Sequence, residues 1–248
     1  PEAMEEVQEE VVRNPADFEP SPKPVIVAVI DTGFDFESDW SSILKYNKNL
    51  RKPRLCKYGH KDFTGYGLRD NHNHGTHVAS TIAQEALDSN YCLVILKFYD
   101  PKNPKADHLT ATAKAIQRAI DLKVNIINYS GGGEEKSERE CFLIKKALDL
   151  GITVIAAAGN EHHDINTTPY FPAMCDTRVK AVANIDRGGF LVSSSNYTNS
   201  GANARFLYYE MGYNVISLFP DNKIGFMTCT SQSTAVFTGK TIKNWKNH

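Results

Sequence analysis

The chain of 248 residues is 41% hydrophobic, enough to bury a large core, and its length fits one large domain or two small ones. A formal net charge of -1 leaves no basic surface for neutralising phosphates, which argues against a nucleic-acid partner, and no apolar run is long enough to span a membrane. The chain opens at Pro1, which reads as a processed form or a fragment, so that a signal or an inhibitory pro-segment would lie outside it.

In chain order, Glu2, Glu5, Glu6, Glu9 and Glu10 accompany Met4, Val7 and Val11 at helical spacing, which predicts a short acidic amphipathic helix. Pro15, Pro20, Pro22 and Pro24 then predict an extended connector, so residues 1–24 lead into a single domain over residues 25–248. Continuous apolar runs from Val25 to Ile30, Cys92 to Phe98, Val124 to Tyr129, Ile152 to Ala157 and Val179 to Asn184 predict strands buried on both faces. Between them, helical patterns run from His74 to Leu87, Leu109 to Leu122 and Glu138 to Leu150, and a last helix follows Thr230-Ser231. This alternation predicts an α/β fold, a three-layer, doubly wound, mostly parallel sheet flanked by helices, with its site beyond the carboxyl ends of the strands. Asp31, Ser130 and Asn160 each fall just past a predicted strand end.

The cysteines at 56, 92, 141, 175 and 229 form no Cys-x-x-Cys pair, which argues against a zinc ribbon or a thioredoxin-like motif. A chain with a full core needs no disulfide frame, so the cysteines are expected to be mostly free and packed as small apolar residues. Compartment is left open, with a lean toward a secreted or periplasmic protein.

The chemistry concentrates in four strings: Asp31-Thr32-Gly33, Asn73-His74-Gly75-Thr76-His77-Val78-Ala79-Ser80, Ala158-Gly159-Asn160 and Thr230-Ser231. Asp31-Thr32-Gly33 alone also fits an aspartic protease, but that chemistry needs two such carboxylates sharing a proton, and the chain has no second copy. His72, His74 and His77 raise a zinc site. Only His74 and His77 share a helical face, however, and the general-base glutamate of the His-Glu-x-x-His metalloproteases is missing. His72 and His77 are therefore expected to be structural, and no metal is expected. Aspartate, then histidine, then serine is the subtilisin order of the hydrolytic triad.

From Val25 to its end the chain resembles the subtilisin-like serine proteases, the subtilases or peptidase family S8. The resemblance implies a serine endopeptidase without a cofactor, acting on a polypeptide substrate in extended conformation through an acyl-enzyme. By the same resemblance Ser231 is the nucleophile, His74 its base, and Asp31 the carboxylate that orients His74. The Asn160 side chain and the Ser231 backbone N–H form the oxyanion site. Ser130, Gly131 and Gly132 match the segment that pairs with the substrate backbone, Ala157, Ala158 and Gly159 match the opposite wall of the pocket, and Tyr170 falls where its floor is often glycine. A tyrosine there implies a shallow pocket for small or medium apolar side chains. Pro101 and Pro104 stand where relatives offer the substrate a second strand. Only Gln84 to Asn90 separate the His74 helix from the next strand, which implies no calcium loop there, and the chain ends at His248, where relatives usually continue.

The nucleophile segment departs from the family pattern. Cys229, Ser233 and Ala235 stand where Gly-Thr-Ser-Met-Ala-x-Pro has glycine, alanine and proline. A side chain at Cys229 intrudes where glycine lets backbone and substrate approach closely. These changes motivate an alternative, a catalytically impaired or conditionally active relative used as a binding or scaffold protein.

Overall fold

A computed structural model describes residues 23–199 and 206–246. The predicted acidic helix and nearly all of the proline-rich connector lie outside the described residues. In chain order the elements are β1 (Val25–Asp31), α1 (Ser41–Tyr46), β2 (Lys61–Asp62), α2 (His74–Ala86), β3 (Tyr91–Lys97), α3 (His108–Asp121) and β4 (Ile126–Tyr129). They continue with α4 (Glu138–Asp149), β5 (Thr153–Ala157), β6 (Lys180–Ile185), β7 (Leu207–Met211), β8 (Val215–Phe219), β9 (Lys223–Met227) and α5 (Thr230–Lys243).

Seven strands form one parallel sheet in the order β2-β3-β1-β4-β5-β6-β7. The run Val25–Asp31 is apolar on both sides because each of its faces meets a separate core. Ala28 and Ile30 join a cluster with Ile116 of α3 and Leu143 and Ile144 of α4. Val25, Val27 and Val29 join another with Val78 and Ile82 of α2 and Ala235 of α5. Helices thus cover both faces, and the three-layer α/β architecture expected from the alternation is the one present.

The covering helices start on local signals. Asp107 accepts a hydrogen bond from the Thr110 N–H ahead of α3, and Ser137 accepts one from the Glu140 N–H ahead of α4. Helices α2 and α5 pack closely together. A side chain added at Gly239 of α5 would place its Cβ 2.6 Å from the Ile82 carbonyl oxygen of α2. Glycine at that position lets the two helices approach to backbone contact.

Strands β8 and β9 form an antiparallel hairpin whose turn holds Asp221 and Asn222 at positive φ, residue types that tolerate that conformation. Leu218 of β8 enters the α2–α5 core, and the Trp40 indole N–H donates to the Phe219 carbonyl at 2.9 Å.

The expectation of mostly free cysteines is overturned. Cys56 is bonded to Cys92, Cys141 is bonded to Cys175, and Cys229 alone is free. The partners are 36 and 34 residues apart in the chain, so only the fold brings them together. The loop carrying Cys56 joins β3 through an isolated bridge between Leu55 and Leu93, which sets Cys56 beside Cys92. A core adequate without disulfides does not forbid them, and spacing alone could not reveal pairs of this kind.

Candidate active site

The site is built at the carboxyl ends of β1, β4 and β5, against the first turns of α2 and α5. Asp31 closes β1 and is 2% exposed, and its Oδ1 accepts a hydrogen bond from His74 Nδ1 at 2.7 Å. The Thr32 N–H donates to the same oxygen at 2.7 Å. His74 is the first residue of α2, so its ring projects from a helix end rather than into the packed face.

Asp70 holds that helix end in place. Its Oδ1 accepts from the Thr32 hydroxyl at 2.9 Å and from the His72 and Asn73 N–H groups, while its Oδ2 accepts from the Thr76 N–H at 2.8 Å. The Thr32 hydroxyl in turn accepts from the Gly75 N–H at 2.8 Å. Asn73 caps α2 in a left-handed conformation and makes no side-chain cap bond, so Asp70 supplies the missing cap from outside the helix. Gly75 has to be glycine: a Cβ there would lie 2.2 Å from the Gly33 carbonyl oxygen.

His77, one helical turn after His74, is fully buried and its Nε2 bonds the Val215 carbonyl at 3.0 Å. Burial lowers its pKa to about 4, against the hydrogen bond to Val215. It is a neutral packing residue, as expected from the sequence. The His72 ring lies 6.2 Å from that of His74 and 5.7 Å from that of Tyr99.

At the start of α5, Ser231 is buried, and its hydroxyl donates to the Ser130 carbonyl at 3.0 Å. The Ser130 hydroxyl accepts from Asn128 at 2.9 Å and donates to the Ser231 carbonyl at 3.2 Å, which ties the end of β4 to α5. Asn160 follows β5, and its Oδ1 accepts from the Thr230 N–H at 2.8 Å, which leaves its amide NH2 free to point elsewhere. The Gly159 N–H reaches the Thr230 hydroxyl at 3.3 Å.

Cys229 immediately precedes α5, and its thiol donates to Gln232 Oε1 at 2.8 Å. The thiol also lies near enough to the His74 ring for each to influence the other's protonation. Burial disfavours a charged His74, but the Asp31 carboxylate, its hydrogen bond and the Cys229 thiol outweigh that and raise its pKa well above the ordinary histidine value. Burial likewise pushes the Cys229 thiol up, while the His74 ring and contacts with Ser231 bring it below the ordinary value.

A cavity of about 510 Å³ opens beside the site, lined among others by Asp31, His74, Ser130, Gly131, Gly132 and Tyr170. The Tyr170 ring packs against the backbone of both Gly132 and Gly159 and so stands between the β4 and β5 loops. Tyr129 and Glu140 also line the cavity; the Tyr129 hydroxyl donates to the buried Glu140 carboxyl at 3.2 Å, and burial raises the pKa of Glu140. Ala157 and Ala158 are buried at the end of β5 and do not line this cavity. Residues 101–107, with Pro101 and Pro104, form turns between β3 and α3.

Asn196 was not anticipated. Buried beside Gly159, it donates to the Ala158 carbonyl and the Glu161 carboxylate, both at 2.9 Å, and accepts from the Glu161 and His163 N–H groups. It shapes the loop that carries Asn160, but in sequence it lies in an unremarkable polar stretch. Asp70 left a trace, an Asp three residues before the helix-leading Asn73. Among the described residues no cluster of three or more His, Cys, Asp or Glu could hold a metal ion, and no helix is long and apolar enough to cross a membrane.

A helix-borne histidine on a buried carboxylate, facing the first turn of a second helix packed beside it over the end of a parallel sheet, is the arrangement of a subtilisin-like protease domain. The subtilase family, Peptidase_S8, matches residues 23–246, and the chain belongs to it. The major intracellular serine protease of Bacillus subtilis (strain 168) is 31% identical over 229 residues, an alignment covering 88% of this chain and 67% of that one. Subtilisin-like protease 2 of Plasmodium falciparum is 28% identical over 231 residues, 85% of this chain but 16% of that much longer protein. Among solved structures, the protease domain of PatA superposes with a TM-score of 0.69 at 21% identity, covering 89% of this chain and 80% of that one. The prenylagaramide maturation protease PagA superposes with a TM-score of 0.65 at 23% identity, covering 87% and 72%. Both share the fold.

Proposed function

We propose that this chain is a serine endopeptidase working through Asp31, His74 and Ser231. The observation that carries this reading is the 2.7 Å hydrogen bond from His74 Nδ1 to Asp31 Oδ1, made at the helix end that faces the start of α5. It fixes one tautomer, with the proton on Nδ1 and Nε2 free to accept.

In the reaction, the Ser231 hydroxyl turns from the Ser130 carbonyl toward His74 and attacks the scissile carbonyl carbon. His74 takes the hydroxyl proton, and Asp31 stabilises the resulting imidazolium. The developing oxyanion is held by the Asn160 side-chain amide and the Ser231 N–H. The Asn160 Oδ1 bond to Thr230 supports this role because it holds the Asn160 side chain beside the start of α5, where the Ser231 N–H lies. Collapse of the intermediate transfers the proton from His74 to the leaving amine and leaves an acyl ester on Ser231. Water, deprotonated by His74, hydrolyses the ester.

The substrate lies extended along Ser130, Gly131 and Gly132, whose glycines expose main-chain donors and acceptors. Its side chain before the cut enters between this segment and Gly159. The Tyr170 ring already occupies part of that space, which supports a shallow pocket preferring small or medium apolar side chains.

The test is intact mass after exposure to a fluorophosphonate, with Ser231→Ala as control. One adduct on the native chain and none on the variant is the expected result. A folded native chain that takes no adduct would overturn the reading in favour of a binding or scaffold role.

A further inference from the structure

The start of α4 reads Ser137-Glu138-Arg139-Glu140, a spacing at which the glutamate side chain ordinarily turns back to the N–H of the capping serine. Half of that arrangement is present, since the Ser137 hydroxyl accepts from the Glu140 N–H at 3.2 Å. The carboxyl goes elsewhere. Glu140 is 1% exposed, its Oε1 accepts from the Tyr129 hydroxyl at 3.2 Å, and it lines the same cavity of about 510 Å³ that His74 lines. Cys141, the next residue, is bonded to Cys175, which fastens this turn of α4 to the loop that follows Tyr170.

A glutamate buried this deeply is ordinarily paired with a cation. Here the carboxyl's partner is a neutral hydroxyl, which engages one of its two oxygens. Glu135 lines the cavity too, and among the described residues no lysine or arginine does. Asp31, the third carboxylate on the wall, is already bonded to His74. Phe98, Tyr99, Leu109 and Tyr129 supply apolar and aromatic wall, which suits a long aliphatic stem that ends in a charge. Burial raises the Glu140 pKa, and a positive charge brought beside the carboxyl offsets that cost of ionisation.

We propose that Glu140 is a specificity-determining residue, which takes a lysine or arginine side chain of the polypeptide substrate on the amino-terminal side of the bond that Ser231 attacks. This rests on the function proposed above and names the substrate class of that same site. The cavity borders Ser130, Gly131 and Gly132, the segment assigned to the substrate residues before the cut. A side chain leaving the extended substrate on the cavity side lays its stem along the apolar wall and donates charge-assisted hydrogen bonds to the Glu140 carboxylate. The side chain immediately before the cut is a different one, held between the same segment and Gly159. Glu135 reinforces the selection, and an acidic substrate side chain is rejected by both carboxylates.

The experiment compares peptides carrying lysine or norleucine, the same four-carbon stem without the ammonium, at the second, third or fourth residue before the cut. The native chain is expected to prefer lysine in kcat/KM by about tenfold or more at one of these positions, and the preference should fall to near parity in Glu140→Gln, with Glu140→Met as a second variant should the first not fold. Norleucine cleaved as well as lysine at all three positions, or a lysine preference that persists without the carboxylate, would overturn the proposal. A second readout is binding of the same fluorescently labelled peptides to Ser231→Ala, followed by anisotropy. Tighter binding of the lysine peptide, lost when Glu140→Gln is added, supports the pocket even if the native chain hydrolyses no peptide, in which case the hydrolase reading alone falls. Hydrolysis of both peptides with equal binding leaves the hydrolase reading standing and removes the role of Glu140.

Discussion

The Asp70 carboxylate and the Thr32 hydroxyl, 2.9 Å apart, join the loop that starts α2 to the residue that follows Asp31. Through this bond the strand end carrying the carboxylate and the helix end carrying the imidazole are held as one unit. Asp70→Ala removes four hydrogen bonds at a buried position and is expected to cost about 3 kcal/mol of stability. It should also lower kcat with little effect on KM, as His74 loses its fixed position over Asp31. Chemical denaturation and steady-state kinetics would check both, and an unchanged kcat would show that α2 is held by packing alone.

Removing the amide proposed to hold the oxyanion should act on turnover. Asn160→Leu is expected to reduce kcat by about 10² to 10³, the range established for the corresponding loss in subtilisin, with KM nearly unchanged. An equal rise in KM would mean that Asn160 binds substrate in the ground state instead.

The direction of the His74 shift fixes a pH dependence. As the proposed base, His74 must be neutral to accept a proton, and Asp31 and Cys229 favour its charged form, so kcat/KM should rise with pH and reach half its maximum above the ordinary histidine value of 6.5. Cys229→Ala removes one of the groups that raise the pKa, so the midpoint should move toward lower pH. A midpoint that stays in place or moves upward would mean that the thiol does not act on His74.

His77 governs acid stability with the opposite sign. Its folded pKa of about 4 lies below the ordinary 6.5, so the unfolded chain binds the proton first as pH falls. The stability is complete above pH 6.5 and is lost as pH drops toward 4, by about 3 kcal/mol for this one residue. Melting temperatures across that interval should decline less steeply in His77→Gln than in the native chain.

How much was legible from sequence depended on burial. The central strands β1, β3, β4, β5 and β6 face apolar helices on both sides, and their unbroken apolar runs declared them. Edge strands β2 and β7 did not: one spans two residues, and the other reads Leu-Tyr-Tyr-Glu-Met with a half-exposed pattern. The β8–β9 hairpin carried a usable signal in Pro220-Asp221-Asn222 that lay outside the α/β alternation. Asp31 and Asn160 were legible because each follows an apolar run, and His74 because it opens a helical pattern. The influence of Cys229 on His74 was not, because it joins residues far apart in the chain.

The close packing at Gly239 makes the α2–α5 pair behave as a caliper. Both arms end at the site, one at His74 and the other at Ser231, while the jaws are gauged well below it, where α5 rests on the Ile82 carbonyl. The spacing between the proposed proton acceptor and nucleophile is therefore set at the helix crossing, outside the cavity lined by Asp31, His74 and Ser130. Residues at that helical crossing can retune turnover while every contact in the substrate groove keeps its geometry.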